Sequence, residues 1–221
     1  SKLPETLLLA AMSMLLTLVI SIPLGILAAV RQNRATDFII RAASFVGNSL
    51  PNFFVALVLM MLFSIHIPLF PVIAEGTSLA SAVLPTLTLA IAMSSRYLRQ
   101  VRAAVLEELS KAYVLGARAR GIPFRTTLVK SVLRAALSTI VTLLALSCGS
   151  LLGGTAVVET IFMWDGVGKL AVDAVSMRDY PMIQAYVVWM ALIYVLINLL
   201  TDLLQPIIDP RLREGGASDE R

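Results

Sequence analysis

The chain has 221 residues, of which 58% are hydrophobic and only 14% charged, and its mean hydropathy is +0.86. This composition excludes an ordinary soluble domain and indicates a membrane protein. A net charge of +4 and a pI near 9.5 would also suit a nucleic-acid-binding protein. The positions of the cations explain this charge without nucleic acid, so we expect no nucleic acid partner.

Five runs of the sequence contain no Asp, Glu, Lys or Arg, and each is long enough to cross a bilayer. About 20 residues of helix cross ~30 Å of hydrocarbon, and only helices or closed barrels satisfy the backbone there. The runs do not alternate apolar and polar residues as barrel strands do. The sequence therefore predicts an all-α, polytopic membrane protein with one transmembrane domain, residues 1–210, and spans at about 7–30, 50–69, 82–100, 136–158 and 183–204.

The cations divide unequally between the two sides of such a protein. Three lie in the loop after the first span, nine in the loop after the third and three in the tail 211–221, so one side receives 15 of the 18 Lys and Arg residues. Because Lys and Arg near span ends stay cytoplasmic, we expect a cytoplasmic loop at 101–134 and a cytoplasmic C-terminus. The N-terminus and the segment 159–182 are then external.

The first residues contain neither an initiator Met nor the basic leader of a signal peptide. Together with the odd number of spans, this leads us to expect that a sixth, N-terminal span is missing.

Charged residues flank the second and third spans. Asp37 and Arg41 are spaced for an ion pair within a helix. Arg96, Arg99 and Arg102 recur every three residues, and we expect them to anchor the third span at anionic lipid.

Residues suited to enzyme chemistry are scarce. His66 is the only histidine, so the chain cannot build a histidine-paired metal site or a His-based triad, and we expect neither catalysis nor a metal site. The sequence GVGK at 166–169 lacks the first glycine and the Ser or Thr of a phosphate loop. No acid lies inside the five runs, which gives little support to the alternative of a proton- or sodium-coupled secondary transporter.

The fourth span contains a run of small residues, SCGSLLGG. Gly149 and Gly153 form a GxxxG pair, and Ser150 and Gly154 repeat the spacing on the adjoining stripe. Such spacing lets another helix approach closely. We predict a helix seam here, which in a transporter could also line the translocation pathway; the candidate residues are Ser147, Gly149, Ser150, Gly153, Gly154 and Glu159.

A polar segment, KAYVLGARARGIPFR at 111–125, interrupts the apolar sequence. Ser110 is a candidate N-cap, Gly121 stands where a left-handed C-cap is favoured, and Pro123 stops continuation. The segment predicts a helix of about ten residues outside the membrane. The helix could press into the groove of a partner, with Arg118 and Arg120 reaching acidic groups at its rim, or it could lie on lipid as a basic interfacial helix.

This segment, followed by TLVKSVLRAAL, resembles the cytoplasmic loop of bacterial ABC importer permeases. Their general pattern is E-A-A, three residues, G, about nine residues and I-x-L-P. Gly121 matches the glycine and Ala117 the second alanine, whereas Leu115, Gly116 and Arg134 replace the glutamate, the first alanine and the proline. YVLGARARG and LRAAL are closer to the version found in dipeptide, oligopeptide and nickel permeases. SLPNFF, LLGGTAVVETIFMWDGVGKL, RDYPMIQ and NLLTDLLQPIIDPRLR resemble segments of the same branch in the same order.

The resemblance implies a type I ABC importer-like permease core in the bacterial inner membrane, which passes a small peptide or nickel, as ion or chelate. It implies a homologous second permease, an external solute-binding protein and two cytoplasmic ABC ATPase subunits as partners. ATP and Mg would be bound by those ATPases, and no cofactor by this chain.

The resemblance also implies roles for particular residues. The coupling helix that contacts the ATPase would comprise Tyr113, Leu115, Gly116, Ala117, Arg118, Ala119, Arg120 and Gly121. The surface that faces the solute-binding protein would include Trp164, Asp165, Asp179 and Tyr180, with Asp165 in place of the proline usual in the family.

Overall fold

A computed structural model describes residues 2–71 and 78–208, and their side chains except at 144–146, 148–150, 152–154, 201, 202 and 204–208. The described residues contain no strand, and the predicted all-α class is confirmed. The helices are α1 Leu3–Val30, α2 Ala35–Ser49, α3 Asn52–Met60, α4 Leu79–Leu109, α5 Ala112–Ala119, α6 Phe124–Thr127, α7 Leu133–Ile161, α8 Val167–Met177 and α9 Tyr180–Ile208. Two π-helical segments, Met61–His66 and Leu128–Val132, extend α3 and join α6 to α7.

The described part of the chain has four helical segments long and apolar enough to cross a membrane, and a bent pair raises this to five. In the bent pair, α2 meets the helix Asn52–His66 at 98°. The break falls at Leu50 and Pro51, where the residue before a proline adopts an extended conformation. The predicted second span, 50–69, is thus helical over 52–66, and α2 occupies much of the loop expected after the first span.

The charged loops are more helical than expected. α4 extends beyond the predicted end at 100 to Leu109, and much of the predicted loop 101–134 belongs to helices. The difference has a simple cause, because charged residues end the apolar part of a helix but do not break its backbone hydrogen bonds.

α1 packs against α4, and its buried residues form a stripe of mostly small side chains that recur every three or four positions: Thr6, Leu9, Ser13, Thr17, Ser21, Gly25 and Ala28. A Cβ on Gly25 would lie 2.7 Å from Cβ of Val101 and 3.0 Å from the carbonyl oxygen of Leu98. The Thr17 hydroxyl donates to the Ser13 carbonyl at 2.7 Å, so it needs no partner on another helix. Small residues thus bring the two helices into close contact, as is common in membranes.

Two apolar clusters lie toward opposite ends of the α1–α4 pair. One contains Leu9, Leu84 and Trp164 from α1, α4 and the segment after α7. The other contains Ala29 and Val105, together with residues of α5 and α7. The first cluster supports the end that the sequence predicts to be external, and the second supports the end predicted to be cytoplasmic.

A buried ion pair joins α2 to α4. The side chain of Asp37 is fully buried; Arg102 donates from Nε to its Oδ1 at 2.8 Å and from Nη2 to its Oδ2 at 2.9 Å. The expected pair within α2 is confirmed, since Arg41 Nε lies 3.3 Å from Asp37 Oδ1. The expectation that Arg102 anchors at lipid is wrong, because its guanidinium is held by this carboxylate in a two-pronged contact.

We expect Gly25→Leu to push α1 away from α4, because the added side chain has no room beside Val101. Overpacking of this kind costs about 1–3 kcal/mol. The thermal unfolding midpoint of the detergent-solubilised protein should fall. Val19→Leu provides the matched control, since Val19 is exposed on the same helix and should accept the larger side chain without loss.

Candidate functional site

α5 lies between the ends of α4 and α6, and its start differs by one residue from the prediction. Ser110 has helical backbone angles and closes α4, with its amide donating to the carbonyls of Leu106 and Glu107. Lys111, with extended angles, occupies the N-cap of α5. The prediction of Ser110 as N-cap is wrong because α4 continues farther than its charged sequence suggested.

The end of α5 follows the prediction. Gly121 has a φ of +73°, in the left-handed region that favours glycine. Its amide donates to the Arg118 carbonyl at 2.9 Å, and the Ile122 amide donates to the Ala117 carbonyl at 3.0 Å. These two bonds form a Schellman motif, which satisfies the last carbonyls of α5.

α5 buries one narrow side and exposes the rest. Val114 and Ala117 are buried, and Val114 packs in the cluster that contains Val105 and Val132. Leu115 is 64% exposed, and a Cβ on Gly116 would meet no atom within 4 Å. Of the eight predicted coupling residues, only Ala117 is buried; the others lie together on this exposed surface or at its end.

Side chains of neighbouring helices hold α5 in place. Glu108, 8% exposed near the end of α4, accepts a hydrogen bond from the Tyr113 hydroxyl at 3.0 Å and also pairs with Lys111. The Arg118 guanidinium stacks 5.3 Å from the centre of the Phe124 ring, a cation–π contact. The role of Glu108 was not predicted from the sequence. Its partners Lys111 and Tyr113 lie beyond the end of α4, and the spacing of residues within one helix does not show contacts across the turn that follows it.

At the opposite end, the buried Glu159 carboxylate joins three helices. Its Oε1 accepts from the Thr6 hydroxyl at 2.8 Å, and its Oε2 accepts from the Lys169 amide at 2.9 Å. The Thr6 Oγ1 accepts from the Val167 amide at 2.8 Å. A carboxylate at a helix N-terminus is electrostatically favourable. The GVGK segment at 166–169 therefore begins α8 beside the Glu159 carboxylate, which accepts from its Lys169 amide.

The four residues predicted to face a solute-binding protein differ in their exposure. Trp164 is 1% exposed, and its Nε1 donates to the Glu5 carbonyl at 3.1 Å, so the expectation of a surface role for this side chain is wrong. Asp165 is exposed and forms an ion pair with Lys2 at 2.5 Å, and this hydrogen bond lowers the pKa of the Asp165 carboxyl. Asp179 and Tyr180 are also exposed, at the start of α9.

Ser147 lines a cavity of about 190 Å³ between α3, α4 and α7, together with Asn52, Arg96 and Tyr97. Arg96, expected to anchor the third span at lipid, has its side chain on the wall of this cavity. Four further predicted seam positions of α7, Gly149, Ser150, Gly153 and Gly154, lie where the structure describes the helix but not the surroundings of its residues.

We expect Glu159→Gln to lower the thermal unfolding midpoint, because an amide NH₂ would then face a hydrogen-bond donor. Loss of one buried hydrogen bond costs about 1–3 kcal/mol. Thr6→Val should also destabilise the protein, and the double variant should lose less than the sum of the two. Thr6→Ser, which keeps the hydroxyl, serves as the control; equal loss in Thr6→Ser and Thr6→Val would contradict the contact.

Comparisons with known proteins identify the family of the chain. A family model described as binding-protein-dependent transport system inner membrane component matches residues 21–214. The chain is 39% identical to the oligopeptide transport system permease protein AppB of Bacillus subtilis (strain 168), over 96% of this chain and 70% of that one. It is 36% identical to the metal-staphylopine import system permease protein CntB of Staphylococcus aureus (strain NCTC 8325 / PS 47), covering 96% and 68% respectively. It is 38% identical to the glutathione transport system permease protein GsiC of Salmonella typhi, covering 96% and 69%.

Solved structures share the fold at low sequence identity. The MetNI methionine ABC transporter in an inward-facing conformation has a TM-score of 0.77 at 17% identity, covering 94% of each chain. An amino acid ABC transporter with histidines has a TM-score of 0.71 at 16% identity, covering 93% of this chain and 91% of that one. The likeness supports the predicted type I importer-like permease fold.

Proposed function

Because the chain belongs to the family of binding-protein-dependent transport system inner membrane components, we propose that it is the transmembrane permease subunit of an ATP-driven importer. The observation that carries the proposal is α5, a short helix fixed to the bundle on one side and exposed on the other. A rigid protrusion with small side chains suits the transmission of movement between subunits. The chain itself carries out transport and not ATP hydrolysis.

The coupling role is proposed for the exposed surface of α5. An ATPase subunit that holds this helix in a groove would transmit its closure to α4 and α7, since Val114 belongs to the apolar cluster that also contains residues of both. Arg120 would reach acidic groups at the rim of the groove. Arg118 would have less freedom to do so, because it stacks on Phe124. Arg120, with a smaller part for Arg118, would take the anchoring role of the glutamate that the family pattern places where Leu115 stands.

The proposed complex contains this chain, a homologous second permease, two cytoplasmic ATPase subunits that bind ATP and Mg, and an external solute-binding protein. We place α5 and the C-terminus in the cytoplasm, on the basis of the distribution of Lys and Arg. Asp165, Asp179 and Tyr180 would then face outward, where the solute-binding protein docks. Glu159 would have a structural role, because its hydrogen bonds join the end of α7 to α1 and to the start of α8.

The proposed cargo is a small peptide or nickel, as ion or chelate. Support comes from the names of relatives, which describe oligopeptide, metal-staphylopine and glutathione transport. The bacterial inner membrane is the proposed location of the assembled importer, in accordance with the family description.

Purification of the tagged chain from its native membranes should recover the ATPase subunits and a second permease. In proteoliposomes the complex should take up cargo only with ATP inside and the solute-binding protein outside. Uptake driven by a proton or sodium gradient without ATP would contradict the proposal and favour a secondary transporter.

We expect Gly116→Leu to weaken ATPase association about tenfold or more, because the new side chain enters the proposed groove. The variant chain should fold normally, since the space around Gly116 is open within the chain. Co-purification of the ATPase and the thermal unfolding midpoint measure the two effects separately.

Ser176→Leu is the matched control for this variant. It adds a leucine at an exposed position of α8, at the other end of the bundle, and should leave ATPase association unchanged. Normal association and ATP-driven uptake by the Gly116→Leu complex would exclude α5 as the docking element.

A further inference from the structure

The cavity between α3, α4 and α7 is lined by a cation near the cytoplasmic end of the predicted third span, 82–100. Arg96 lies four residues inside that end, about 6 Å at 1.5 Å per residue. Arg within a span is generally retained where it faces the interior of the protein or a water-filled space. The side chain of Arg96 meets this condition, because it is exposed and lines the cavity.

The guanidinium of Arg96 has no hydrogen-bond or ion-pair partner among the described side chains. Arg102, six residues farther along α4, is different, because it is held by the buried Asp37. Tyr97 adjoins Arg96 but is 2% exposed, with its hydroxyl donating to the Leu143 carbonyl at 2.9 Å. The donors of Arg96 are therefore available to a molecule in the cavity.

The rest of the cavity suits the end of an organic molecule. Asn52, at the break between α2 and α3, supplies an amide that can donate and accept. Leu89, Met93 and Leu151 supply an apolar side. A volume of about 190 Å³ holds several water molecules or a small group such as a carboxylate with its neighbouring atoms.

We propose that Arg96 receives a carboxylate of the transported molecule as it passes through the membrane. The planar guanidinium offers paired donors that match the two oxygens of a carboxylate. A bare divalent cation would be repelled by the same charge. The cargo class is therefore one that bears a free carboxylate, either the C-terminus of a small peptide or a carboxylate chelator around a metal.

This inference rests on the proposed importer function and selects among its cargoes. Ser147, which sequence analysis assigned to the seam or pathway, lies on the same cavity wall.

The test measures equilibrium binding to the purified complex of permeases and ATPases, without the solute-binding protein, so that only the membrane site is read. The probes are labelled tri-alanine as the free acid, tri-alanine with a C-terminal amide, Ni²⁺ alone and Ni²⁺ with citrate. The wild-type complex should prefer a carboxylate-bearing probe, and the free acid should bind about tenfold more tightly than the amide if peptides are the cargo. If only the binding of the Ni²⁺–citrate complex depends on Arg96, the cargo is a chelate and not a peptide.

Arg96→Gln should abolish the preference, and Arg96→Lys should keep part of it, since lysine retains the charge without the planar fork. Arg99→Gln is the matched control, because Arg99 is one turn away beside Phe38 and Arg41 and outside the cavity. Thermal unfolding midpoints establish that each variant is folded. The inference is overturned if no carboxylate-bearing probe binds, if the preference survives Arg96→Gln, or if Ni²⁺ alone binds more tightly than every carboxylate-bearing probe.

ATP-driven uptake by the wild-type complex, with its solute-binding protein added, separates this inference from the proposed function. Uptake of cargo, together with binding that does not depend on Arg96, would refute the inference and leave the proposed importer function standing. Binding that depends on Arg96 without any ATP-driven uptake would refute the importer function.

Discussion

The close contact between α1 and α4 is the constraint on which the rest of the structure depends. In a membrane there is little hydrophobic gain from bringing two apolar helices together, so association relies on close packing and internal hydrogen bonds. Gly25 lets α1 approach the backbone of α4, while hydroxyl groups such as that of Thr17 bond to their own helix. The remaining helices are arranged around this pair, with an apolar cluster toward each of its ends.

Two buried carboxylates connect other helices to this pair, one toward each end. Asp37 joins α2 to α4 through Arg102, and Glu159 joins the end of α7 to α1 and to the start of α8. A buried carboxylate is tolerable only when its oxygens are paired or hydrogen-bonded. These contacts explain how a chain made chiefly of apolar helices acquires defined ends, on which an exposed element such as α5 can be held in a constant position.

Local signals were sufficient for the presence of long apolar helices and for most of α5. Runs without charge mark the membrane segments because hydrocarbon excludes ions, and Gly121 ends α5 because a left-handed residue is needed there. The roles of the arginines were not predictable in this way. Arg96 and Arg102 belong to one run of arginines at three-residue spacing, yet Arg96 lines a cavity and Arg102 pairs with a residue 65 positions away. Similarly, the sequence placed Trp164 in an external segment, and packing against α1 buries it.

The sequence by itself determined that this is an all-α membrane protein of the importer permease family, with a short polar helix between its third and fourth predicted spans. It did so because hydropathy, glycine and proline positions, and motif spacing are properties of neighbouring residues. Only the tertiary structure decided which carboxylates are buried, which face of α5 is exposed and where Arg96 points. Those outcomes depend on contacts between residues far apart in the chain, and burial and pairing of a charge follow from the helices that surround it.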